Sequence, residues 1–191
     1  MFSSPVSARA FCLYASLLTL SVPAGAADGE AIIQKGGANP AAMPCMSCHG
    51  VDGKGMAAGG FPRLAGLPEA YIAKQLADFK AGRRENPLMQ PIAQALGDAD
   101  AAAVAKAYAS QPKVSIKAGP VERPKEGSGA WLALRGAWER NIPECTLCHG
   151  PAGVGVGDVF PPLAGQSAEY IEAQLRAWRG TPAQLAGKKG K

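Results

Sequence analysis

Cys45-Met46-Ser47-Cys48-His49-Gly50 recurs one hundred positions later as Cys145-Thr146-Leu147-Cys148-His149-Gly150. Two thiols three residues apart, followed at once by an imidazole, form the Cys-x-x-Cys-His pattern by which haem is attached covalently. Each part has a physical job. One helical turn sets the spacing of the sulfurs to the two haem vinyl groups, and the next side chain reaches the iron from the same face. The chain has only two histidines, and both sit in these motifs. Two Cys-x-x-Cys pairs also allow a zinc site. Zinc ribbons, however, place their pairs much closer together and leave the histidines unexplained. A redox dithiol asks for a strand–helix context that the surrounding sequence lacks. A disulfide framework remains a rival for an exported chain.

A transfer haem held by His commonly takes Met on its other face, and Met raises the potential. No third His exists to make a bis-His pair within the chain. Met43 and Met46 are tied to the first attachment turn, and Met56 follows His49 by only seven residues. Met89 lies in Asn86-Pro87-Leu88-Met89-Gln90-Pro91, expected to be a loop between two helices and free to wrap the far haem face. It is the candidate distal ligand. Pro62 and Pro161 are candidate supports, since an iron-bound His usually donates its other ring N–H to a backbone carbonyl. No catalytic residues stand out, and the reading is of an electron carrier rather than an enzyme.

The repeat extends well beyond the motifs. Gly53 and Gly55 match Gly153 and Gly155, and Lys35-Gly36 matches Arg135-Gly136. After a one-residue deletion, Phe61-Pro62, Leu64-Ala65-Gly66, Tyr71-Ile72, Gln75-Leu76 and Phe79 match Phe160-Pro161, Leu163-Ala164-Gly165, Tyr170-Ile171, Gln174-Leu175 and Trp178. Such self-similarity marks a duplicated structural unit. The expected fold class is all-α: two tandem units, 27–109 and 130–191, joined by a Pro/Gly-rich linker over 110–129. Short helices are expected over 31–37 and 131–138. A longer one follows Pro68, with Ile72, Gln75, Leu76 and Phe79 on one face and Glu69, Lys74, Asp78 and Lys80 largely opposite. Another spans 98–109, with Asp98 and Asp100 at its N-terminus and Ala101, Val104, Ala105 and Tyr108 as its apolar stripe. The Gly-rich runs 50–60 and 150–157 read as loops.

Residues 1–26 read as a cleaved export signal: Arg9, an apolar stretch to about Val22, then Ala24-Gly25-Ala26. Its loss removes Cys12 and lowers the formal charge from +5 to +4. That modest, scattered excess of Lys and Arg does not describe a nucleic-acid binder. The expected location is the periplasm, where peripheral contact with a membrane remains open.

These motifs, with Phe61-Pro62-Arg63-Leu64-Ala65-Gly66, Tyr71-Ile72-Ala73-Lys74-Gln75-Leu76 and Leu96-Gly97-Asp98-Ala99-Asp100 after the Met89 segment, resemble the class I c-type cytochromes, and among them the di-haem cytochrome c4 family. The resemblance spans nearly all of 27–191. It implies two cytochrome c folds with two covalent haem c groups near the domain interface. It implies Met89 as axial ligand, with Pro62 and Pro161 accepting from His49 and His149. It also implies periplasmic electron delivery from a quinol-oxidising complex or dehydrogenase, often to a haem–copper terminal oxidase. A haem subunit of a dehydrogenase and a di-haem peroxidase are the rival functions. The pattern departs in one place: no Met follows Cys145, and nothing in 130–191 matches residues 86–109. The second unit is therefore expected to be incomplete, lacking its C-terminal helix. Three accounts are open: a piece of a longer protein, a five-coordinate second haem, or iron ligation by a tail amine of Lys188, Lys189 or Lys191.

Overall fold

Helix boundaries are chemically marked at matching places in both halves. The computed structural model describes residues 27–116 and 123–179. The expected export signal, the centre of the linker and the three tail lysines lie outside them. The α-helices are α1 (Gly29–Lys35), α2 (Met46–His49), α3 (Glu69–Lys80), α4 (Met89–Ala95), α5 (Asp98–Ser110), α6 (Gly129–Arg135), α7 (Cys145–His149) and α8 (Ala168–Arg179). Three short 3₁₀ turns and three isolated bridges complete the described residues, which contain no strand. The chain is all-α, as expected.

The side chain of Asp28 accepts from the N–H groups of Glu30 and Ala31 at 3.1 and 3.2 Å, which opens α1. One hundred positions on, Ser128 Oγ accepts from Trp131 N at 3.1 Å and opens α6. Such caps satisfy N–H groups that the first helical turn leaves without partners. They start both helices two residues before the expected 31–37 and 131–138, because the cap rather than the first apolar residue decides where a helix begins. Gly36 and Gly136 end them at φ 87° and 70°. α5 runs through Ser110 and α6 opens at Gly129, so each reaches one residue into the expected linker.

The core belongs to the first repeat. Ile32, Ile33, Ile72, Leu76, Leu96, Val104, Ala105 and Tyr108 bury together where α1, α3 and α5 meet. α1 crosses α5 at Gly29, where even a β-carbon would overlap the Ala103 carbonyl. Lys80 Nζ joins the end of α3 to the α4–α5 junction, donating to Leu96 O at 3.0 Å and Asp98 Oδ1 at 2.7 Å. In the second repeat the match to Gly29 is Gly129, which has open space where a β-carbon would stand. Every buried hydrophobic side chain among the described residues lies between Ile32 and Tyr108.

One expectation for α3 needs correction. Ile72, Leu76 and Phe79 do face inward, but so does Asp78. It is buried because it has two partners: Lys74, one turn earlier, and Arg83, whose Nε donates at 2.8 Å. A buried carboxylate needs such pairing.

Candidate haem sites

Each Cys-x-x-Cys-His motif forms one turn of helix closed by a glycine that must take positive φ, Gly50 at 82° and Gly150 at 77°. The chain then folds back on the motif in the same way twice. Gly55 N donates to His49 O at 2.8 Å, and Gly155 N to His149 O at 2.7 Å. The Gly53 carbonyl accepts from Leu64 and Ala65, and the Gly153 carbonyl from Leu163 and Ala164. These bonds bring Phe61-Pro62 and Phe160-Pro161 over the imidazoles. His49 Nδ1 lies 2.9 Å from Pro62 O, and His149 Nδ1 lies 2.7 Å from Pro161 O. Phe61 and Phe160 stand edge-on to the same rings, with centroids 6.4 and 6.0 Å away. With Nδ1 donating to a carbonyl, Nε2 is the nitrogen left as a metal ligand.

The chemistry of the donor set fits a covalent haem. Burial holds the His49 pKa below its ordinary value, against the opposing pull of the Pro62 carbonyl. A neutral imidazole is the form that ligates iron. Burial pushes the Cys45 thiol up to about 11, so this site disfavours a thiolate and suits an uncharged sulfur such as a thioether. All four described cysteines are unpaired. Among the described residues no three or more His, Cys, Asp or Glu side chains converge as a metal cluster.

The methionines separate by environment. Met43 and Met56 are exposed, whereas Met46 and Met89 pack against the core that also carries Cys45 and Leu64. The Met89 segment is not the expected loop: Met89 is the first residue of α4. Asn86 Oδ1 accepts from the N–H groups of Leu88 and Met89 at 3.0 and 2.9 Å, which starts the helix. Pro91 is tolerated because it stands in the first turn, where its missing N–H has no partner to lose.

Two residues escaped the sequence reading. Arg63, 8% exposed, donates from Nε to Ala65 O at 3.0 Å and from Nη2 to Pro112 O at 2.6 Å. Its backbone N–H and carbonyl pair with the side-chain amide of Gln166 from the other repeat, at 2.9 and 2.8 Å. Arg84 donates to Tyr170 OH and Gln174 Oε1 of the other repeat. The one signal in the sequence is that Arg63 interrupts an otherwise matched Phe-Pro-x-Leu-Ala-Gly, where the second repeat has Pro162.

A helical chain that carries an imidazole behind two cysteines on one turn, braced by a proline carbonyl, is a c-type cytochrome. The cytochrome c family profile matches residues 26–108. The chain is 61% identical over 162 residues to the thiosulfate dehydrogenase electron acceptor of Stutzerimonas stutzeri (strain A1501), covering 85% of this chain and 75% of that protein. It is similar to the solved structure of reduced recombinant cytochrome c4 from Pseudomonas stutzeri, with 36% identity, a TM-score of 0.62 and 81% of each chain covered. It is also similar to the as-isolated thiosulfate dehydrogenase (TsdBA) from Marichromatium purpuratum, with 42% identity and a TM-score of 0.67, covering 80% of this chain but 32% of that one. The chain belongs to the cytochrome c4 family of electron-transfer cytochromes. Its cofactor is haem c.

Proposed function

We propose that this chain is an exported, periplasmic di-haem cytochrome that accepts electrons from a dehydrogenase and delivers them to a terminal oxidase or another acceptor. The duplicated bracing of His49 and His149 by Pro62 and Pro161 carries the two-site reading. Cys45 and Cys48 hold one haem covalently, and Cys145 and Cys148 the other. His49 and His149 supply the proximal imidazoles, each fixed in ring orientation by its proline carbonyl. Met89 supplies the distal ligand of the first site. A bound haem cycles its iron between two oxidation states, and the protein tunes potential and access. With only His49 and His149 in the chain, no imidazole remains for distal acid–base work, which disfavours the peroxidase rival.

Among donors, the 61% likeness to a thiosulfate dehydrogenase electron acceptor favours a thiosulfate-oxidising dehydrogenase over a quinol-oxidising complex. The test mixes oxidised, haem-loaded protein with thiosulfate dehydrogenase and thiosulfate and follows reduction by absorption. The expected result is full reduction of the pool at catalytic dehydrogenase concentration. A pool that ascorbate reduces but this mixture does not would exclude the donor. A second reading, a resident haem subunit of such a dehydrogenase, draws support from the match to about a third of TsdBA. Stable co-purification with the dehydrogenase distinguishes a subunit from a diffusing carrier.

A further inference from the structure

Arg84 sits between two halves of a repeated pair. Its Nη1 donates to Gln75 Oε1 at 2.7 Å, and its Nη2 donates to Gln174 Oε1 at 2.6 Å. Gln75 and Gln174 are the same position in the two repeats. Nη2 also donates to Tyr170 OH at 2.9 Å, and the guanidinium lies over the Phe79 ring at 4.7 Å from its centroid. The backbone is fixed as well, since Arg84 N donates to Asp78 O at 3.1 Å. At the same offset the second repeat has Ala183, so only one cation serves both halves. A planar fork that reaches acceptors on two bodies while stacking on a ring is a task for guanidinium rather than ammonium.

The clamp borders a cleft that reaches His149 of the second motif. The cleft of about 350 Å³ separates the repeats, with Tyr71, Gln75 and Arg84 on one wall and His149, Phe160 and Trp178 on the other. Among the described residues, the remaining polar side-chain bonds across the interface are those of Gln166 to the Arg63 backbone. Arg84 makes two of these four bonds, and interfaces between units of one chain permit relative motion unless they are large and hydrophobic.

We infer that Arg84 is a positioning residue that locks the two repeats in one mutual orientation and thereby sets electron exchange between the two haem sites. In that exchange one electron leaves one site, which is oxidised, and arrives at the other, which is reduced; no proton is involved. The electron-exchange part rests on the two-haem reading; the locking part does not.

The test compares wild-type, R84Q, R84K and R83Q as full-length, haem-loaded proteins. Limited trypsin digestion, with fragments identified by mass, reads cleavage in the linker at Lys113 or Lys125. Small-angle X-ray scattering reads the mutual orientation, and a redox titration reads the separation between the two reduction steps. R84Q is expected to keep wild-type haem content, to be cleaved about tenfold faster in the linker, to scatter as a more extended particle, and to show an altered separation of potentials. R84K should recover neither the cleavage rate nor the scattering profile. R83Q, which alters a bond within one repeat, should match wild type. Wild-type cleavage and scattering in R84Q would overturn the inference, as would full recovery in R84K or an R83Q that behaves like R84Q. A wild-type haem count of one would sink the two-haem reading on its own, while cleavage and scattering still judge the lock.

Discussion

Met89 is the candidate distal ligand of the first site, and it packs against the same core as Cys45. Loss of its thioether should open that iron. When reduced, M89A is expected to bind one more carbon monoxide per chain than wild type, and the potential of the first site should fall by on the order of 0.1 V, a fraction of the ~0.8 V that axial ligation spans. Absorption under carbon monoxide and a redox titration check both; carbon monoxide binding in M89A equal to that of wild type would remove Met89 as a ligand. Asp78 has a different sensitivity. Its bond to Lys74, together with that to Arg83, holds its carboxyl below the usual carboxylate range despite burial. A depressed carboxylate contributes stability that is present above its unfolded pKa of about 3.9 and is lost as pH falls through the folded value. D78N should thus be less stable at neutral pH, and its melting temperature should fall less steeply than that of wild type below about pH 4.

At the scale of elements, Gly29 and Gly129 are one sequence position in two environments. G29A puts a β-carbon into the Ala103 carbonyl and should cost about 1–3 kcal/mol, as overpacking does. G129A meets open space and should change stability by no more than about 0.5 kcal/mol, as surface changes do. Thermal melts of the two variants check the contrast, and equal costs would contradict it. The sequence reading found α3 and α5 because their apolar residues recur at helical spacing. It set α1 and α6 two residues late because Asp28 and Ser128 act by hydrogen bonding, which an apolar pattern does not register. It took the Met89 segment for a loop because two prolines flank it. Pro87 precedes α4, however, and Pro91 occupies its first turn, where proline costs little.

Across the whole molecule, the two attachment motifs and their proline carbonyls were legible because local spacing dictates them. The contacts between repeats were not, since Arg84 and Gln174 stand 90 residues apart and nothing periodic links them. Nor does a repeat reveal that its copies pack differently: the first buries a full core, while the second has Trp178 71% exposed. The described residues contain no helix long and apolar enough to cross a membrane. The family, the paired motifs and the bridging arginine support the proposal that electrons pass between two linked centres. The most direct test of that claim is the intact mass of the haem-loaded chain under denaturing conditions. Two covalent haem masses per chain are expected, falling to one in the double variant C145S/C148S. A single haem in the wild type, or no change in that variant, would contradict the account.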